Sequence, residues 1–123
     1  MKLRLEGNSI RLRVRKSDIN ALQKNEAISE ALTFPNGDIF QYQLTINNTA
    51  LDIDAQLINN ILTISIPLSI ATDWMQTDAV GIEKTLPNGL FILIEKDFPY
   101  TDRPWEDTSD TFFELVNEKE VIC

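Results

Sequence analysis

Arg11, Arg13 and Arg15 fall at alternate positions. In an extended chain that spacing puts all three guanidinium groups on one face, where a row of this kind can contact phosphates. Lys2, Arg4 and Lys16 join them, so six of the eleven basic residues lie in the first sixteen positions. The far end of the chain is opposite in character. Between Glu95 and Glu120 there are nine carboxylates, opposed only by Lys96, Arg103 and Lys119, and interleaved with Phe98, Tyr100, Trp105, Phe112 and Phe113. So many rings are unusual for a purely disordered acidic stretch, so part of the segment is expected to dock on the rest of the protein. Three uses compete for it. The acid can offset the basic start of the same chain. It can engage a basic partner, with Trp105, Glu106, Asp107, Asp110, Phe112 and Phe113 as the candidate contacts. Or Asp102, Glu106, Asp107 and Asp110 can bind a hard cation, although no EF-hand spacing is present and the required glycine is missing, so no metal is expected.

Catalysis has little to draw on. Histidine is absent, which removes Ser–His and Cys–His nucleophile pairs, histidine bases and histidine metal ligands together. A hydrolytic carboxylate pair could come from Glu95 and Asp97 or from Glu106 and Asp107. However, glycine occurs only at positions 7, 37, 81 and 89, and three of these read as turns, which leaves no glycine-rich substrate loop. The expectation is a non-enzymatic protein without a cofactor. The net charge of −8 disfavours nucleic-acid binding through the overall field, so any such role needs the local basic patch of Arg4, Arg11, Arg13, Arg15 and Lys16.

The elements that position these residues follow from periodicity. Leu3 and Leu5 alternate with Lys2 and Arg4, Gly7-Asn8 makes a turn, and Ile10, Leu12 and Val14 alternate with the arginines, giving a half-buried hairpin. Ser17 reads as the N-cap of a short helix, with Asp18 in its first turn and Ile19 and Leu22 on its apolar face. A strand then runs to Phe34. Pro35-Asn36-Gly37 turns the chain, and Phe40, Tyr42, Leu44 and Ile46 alternate along a further strand.

The pattern then repeats 52 positions later. Asn59-Asn60 stands for Gly7-Asn8, Leu62, Ile64 and Ile66 for the alternating core row, and Ser69 for Ser17. Ala71, Trp74 and Met75 supply the helix, Pro87-Asn88-Gly89 the turn, and Phe91 to Glu95 the last strand. Residues 2–46 and 54–98 align without a gap and share Leu5, Asn8, Ser17, Ala27, Thr33, Pro35, Asn36 and Gly37. Eight identities are few, but turns, caps and alternation agree in register. The chain therefore reads as an internally duplicated β-β-α-β-β unit, mainly β with two helices (α+β). Repeat 1 covers 1–46 and repeat 2 covers 53–98. Residues 99–123 form an acidic aromatic tail that docks on residues 1–98. One hairpin and one short helix are marginal alone, whereas eight strands can enclose a filled interior about a pseudo-twofold axis. A small pseudo-twofold barrel is the expected result.

Two resemblances add to this. The run GNSIRLRVRKSDINAL, Gly7 to Leu22, resembles the opening of AbrB/MazE-type swapped-hairpin proteins, with Ile66-Pro67 in the second copy at the matching place. The resemblance implies a swapped-hairpin or related cradle-loop barrel made by one chain in place of two. It also implies DNA binding through the first hairpin, and partner binding through an acidic C-terminal segment. The second copy has Thr63, Ser65 and Pro67 where the first has Arg11, Arg13 and Arg15, so a symmetric basic surface is half missing. The whole chain is also similar to small bacterial proteins of unknown function that begin MKLR and GNSIRLR and carry an EKDF segment, which implies no activity. The expected function is that of a module binding another macromolecule, foremost a protein. A DNA-binding regulator or antitoxin-like role is the alternative, and a monomer or weak homodimer is the expected state. No apolar run of membrane-spanning length and no secretory leader are read, and Cys123 is the only cysteine. A cytoplasmic location is therefore expected.

Overall fold

The computed structural model describes residues 1–98 together with 109, 110, 112 and 115. Ten elements follow in the order β1 (Lys2–Glu6), β2 (Ser9–Val14), α1 (Lys16–Asn25), β3 (Ala27–Thr33), β4 (Ile39–Asn47), β5 (Asp54–Ile58), β6 (Ile61–Pro67), α2 (Leu68–Gln76), β7 (Gly81–Thr85) and β8 (Phe91–Lys96). The fold is mainly β, with two helices. Each element of the first unit has its counterpart in the second, and β5 and the start of α2 fall 52 positions after β1 and the start of α1.

Local chemistry sets the hairpins. Asn59 and Asn60 both hold positive φ, 51° and 65°, as a two-residue turn matching the twist of its flanking strands requires. In the equivalent turn only Gly7 does so (φ 55°), so Asn8 does not share the conformation that the sequence suggests for both. The two longer turns are copies. Gly37 and Gly89 sit at φ 93° and 95°, where an L-residue is strained. Their N–H groups donate to the carbonyls of Phe34 and Leu86 at 2.9 and 2.8 Å, respectively.

The helix starts differ from expectation. Ser17 and Ser69 are not N-caps. The cap positions are Arg15 and Pro67, and neither caps through its side chain. In α1 the Asp18 carboxylate instead accepts the Arg15 backbone N–H at 2.9 Å, satisfying one of the donors that a helix start leaves open. At the other end Glu26 takes the left-handed conformation and donates its N–H to the Leu22 carbonyl at 2.9 Å.

The hairpins are exchanged between the two units. β1 and β2 of the first unit join β8 and β7 of the second in one sheet, ordered β1-β2-β8-β7, and the second sheet is ordered β3-β4-β6-β5. The contacts that join the units are the parallel pairs β2–β8 and β4–β6, while every hairpin is antiparallel. The strands divide into two four-stranded sheets rather than one closed ring, leaving β1, β7, β3 and β5 as edges.

The pseudo-symmetry carries one fault. Within hairpins the registers agree at an offset of 52: Lys2 faces Arg13 as Asp54 faces Ser65, and Thr33 faces Ile39 as Thr85 faces Phe91. Between the units they do not. Ser9 pairs with Phe91, whereas Ile61 pairs with Gln41 where strict symmetry would demand Ile39. One parallel pair is thus slid by two residues against the other.

The core lies between the sheets. Leu12, Val14, Ile92 and Ile94 meet Leu44, Ile64 and Ile66, and the helices close one end with Leu22, Ala71 and Trp74. Leu22 and Trp74 are equivalent positions and both are wholly buried. The Trp74 indole N–H donates to the Val80 carbonyl at 3.1 Å, so the largest core side chain buries its one polar atom without penalty.

Candidate binding surfaces

The exposed face of the first sheet carries most of the residues that the sequence marks as basic. Strand pairing aligns Arg4 with Arg11 and Leu93, and Lys2 with Arg13 and Glu95. Arg11 and Arg13 reach the same oxygen of Glu95, through Nε at 3.0 and 2.9 Å, with side chains 24% and 16% exposed. Only Arg13 forms a hydrogen bond with it. The Arg11 Nε–H is buried and has no acceptor despite the short distance, so charge proximity there lacks the directional bond. Lys2 pairs with Asp97 at 2.9 Å and Arg4 with Glu6 at 3.4 Å.

The five candidate cations therefore do not form one free row. Arg11 and Arg13 share a carboxylate. Arg15 leaves the row because β2 ends at Val14 and Arg15 begins the turn into α1. Arg15 and Lys16 lie near Ile19, Met75 and Phe98 at the helix end of the molecule. Of the acidic aromatic candidates, Asp110 is exposed in a turn and Phe112 is exposed. Trp105, Glu106, Asp107 and Phe113 lie outside the described residues. Among the described residues, no group of three or more carboxylates or thiols is placed to hold a metal ion.

An apolar groove opens where the sheets part at the end away from the helices. It encloses about 270 Å³ and is lined by Leu5, Ile10, Phe40, Ala55, Gln56, Leu57, Leu62 and Leu90. Its lining is paired. Leu5 matches Leu57 and Ile10 matches Leu62 at the 52-residue offset. Phe40 matches Leu90 at an offset of 50, as the two-residue slide demands. Leu5 and Leu57 are 59% and 67% exposed although their strands point them inward. The slide also extends the apolar surface on one side only. It carries the β3–β4 hairpin tip outward, so Leu32, Phe34 and Ile39 are exposed, while their counterparts Lys84, Leu86 and Phe91 are half-buried. The sequence held one sign of this groove: the identity of Leu5 with Leu57.

A third cluster joins the chain start to the fold. The Met1 amino group lies 2.9 Å from the Asp18 carboxylate and 3.2 Å from that of Glu30. The Tyr42 hydroxyl donates toward Glu30 at 3.3 Å. Partial burial and the neighbouring Glu30 carboxylate raise the Tyr42 hydroxyl above its usual range. For Asp18, burial pushes upward, but the Arg15 N–H and the Met1 ammonium outweigh it and hold the carboxyl below its ordinary value. A lowered carboxyl contributes stability that is present above its unfolded-state value and is lost as pH falls through the folded-state value. Asp18→Asn is therefore expected to lower the denaturation midpoint at pH 7. The gap between variant and parent should narrow as pH drops below about 4, the ordinary Asp range. Urea unfolding at a series of pH values measures this, and a gap that stays constant with pH contradicts it.

A family model described as a family of unknown function, DUF7009, matches residues 1–114. The chain belongs to this family. The match takes in both sheets and both helices of the DUF7009 fold, and it continues through Trp105, Phe112 and Phe113, so much of the acidic aromatic segment belongs to the family pattern. Comparison with curated proteins and with solved structures returns no match. Among the described residues no helix is long and apolar enough to cross a membrane.

Proposed function

We propose that this DUF7009 protein is a non-enzymatic binding module that receives a protein partner in the apolar groove between β1 and β5. The observation that carries this reading is the exposure of Leu5 and Leu57 in the groove, beside a second depression that shares Phe40 and is lined by the exposed Phe34 and Ile39. Large apolar side chains gathered on one surface mark an interaction site more often than scattered ones do. The partner is a basic protein that offers apolar side chains, because a chain of net charge −8 attracts a cationic surface and repels an acidic one.

The DNA-binding alternative draws less support. The glutamate shared by Arg11 and Arg13 competes with phosphate for both, and Arg15 and Lys16 sit elsewhere.

A photo-crosslinking amino acid at position 57, used in cells, would capture the partner, whose affinity is then measured with purified components. Leu57→Asp is expected to weaken binding at least about tenfold, about 1.4 kcal/mol, with the unfolding midpoint unchanged because Leu57 is exposed. An unchanged affinity in the Leu57→Asp and Leu5→Asp proteins would exclude the groove as the site. Capture of a second copy of the same chain would replace the basic partner with self-association.

A further inference from the structure

The two sheets share a fold but not an outer face. Lys2, Arg4, Arg11 and Arg13 on the first sheet are replaced by Asp54, Gln56, Thr63 and Ser65 at the equivalent places of the second. Since both hairpins adopt the same register, the fold does not require the cations. Nor is Arg11 satisfied by the sheet, because its buried Nε–H lies 3.0 Å from a Glu95 oxygen and lacks a hydrogen-bond acceptor. Beside them, Phe91 and Leu93 lie on the outward side of β8, and with Arg4, Glu6, Ser9 and Arg11 they line a depression of about 340 Å³. A surface that sets apolar rings and chains among guanidinium groups suits a ligand that is both acidic and aromatic.

Such a ligand begins where this sheet ends. β8 passes through Asp97, whose N–H donates to the Val14 carbonyl at 2.8 Å, to Phe98. The 25 residues that follow hold seven carboxylates against two basic side chains, with Tyr100, Trp105, Phe112 and Phe113 among them. An extended return of six or seven residues, at about 3.3 Å each, spans the length of β8, so the segment is long enough to run back over the sheet.

We infer that the outer face of the first sheet is the docking surface for residues 99–123 of the same chain. This surface is distinct from the apolar groove, and its test needs no partner, so the two readings fail independently.

The single cysteine allows a direct test on the full-length chain. In a Ser109→Cys, Cys123→Ser protein a nitroxide is attached at position 109. Amide resonances of Arg4, Arg11 and Leu93 are expected to lose intensity, while those of Gln43, Gln56 and Thr63 on the second sheet keep theirs. The contrast should shrink in about 1 M salt, where the screening length falls to about 3 Å, and in the Arg4→Glu variant, which alters an exposed side chain. Equal losses on both sheets, losses confined to the second sheet, or no losses at all would overturn the inference.

Discussion

Trp74→Ala is expected to cost about 3–5 kcal/mol of folding stability, the range for truncating a fully buried large aromatic. Three features add to that cost. The side chain is wholly buried, it holds α2 against the sheets, and its indole N–H ties the helix to Val80 just ahead of β7. In a domain of about 100 residues each kcal/mol shifts the midpoint by roughly 4–8 °C, so the variant should melt well over 10 °C lower. Trp74→Phe separates packing from hydrogen bonding. The Val80 carbonyl also accepts the Lys96 N–H and so keeps one partner, and the phenylalanine variant is expected to lose only about 1–2 kcal/mol. Chemical denaturation followed by far-ultraviolet circular dichroism gives both values. A loss below about 1 kcal/mol for the alanine variant would mean that the cavity collapses freely and that α2 is not part of the core.

Glu95→Ala is expected to be the most damaging change on the sheet surface. It removes the carboxylate that two mostly covered guanidinium groups share, and Arg11 in particular then lacks the carboxylate that offsets its charge. Fully buried pairs lose about 3–5 kcal/mol in this way. With Glu95 14% exposed and its partners 16–24% exposed, about 2–3 kcal/mol is expected, with a smaller loss in high salt as repulsion between the arginines is screened. Combining Glu95→Ala with Arg11→Leu and Arg13→Leu should recover most of the loss, because the cost comes from the stranded charges and not from the missing contact. If the triple variant is no more stable than Glu95→Ala alone, the glutamate acts through packing and the electrostatic account is wrong.

Much of the fold was legible because its signals are local. Pro35-Asn36-Gly37 and Pro87-Asn88-Gly89 dictate their turns through backbone conformation, and the period-two rows through Leu12 and Ile64 dictate which side chains face the core. The slide between the parallel pairs was not legible, for a definite reason. Strand side chains alternate with period two, so a shift of two residues returns every side chain to the same face. Phe40, Tyr42, Leu44 and Ile46 offer four apolar positions, and nothing in their pattern says that Leu44 and Ile46 take the deepest places. The helix caps misled because Ser17 and Ser69 align so well, yet Asp18, one residue on, takes the cap N–H in the first unit, and Ile70 cannot do so in the second. Of the candidate contacts, Arg11 and Arg13 were correctly placed on one face. Their partner Glu95 was visible as a carboxylate, but only the exchange of hairpins, which lays β8 beside β2, reveals whose partner it is.

That exchange also sets an order of assembly. The second sheet joins its halves through residues as close as Gln41 and Ile61, so it can close once the middle of the chain exists. The first sheet joins Ser9 to Phe91, and the first hairpin to be synthesised must wait for the last strand. Pairings this distant in sequence are slow to form, and until β8 arrives the inner edge of β2, with Ile10 and Leu12 beside it, stays open to other chains. The arginines that flank those residues place like charges along that waiting edge, which would discourage two nascent copies from pairing through it.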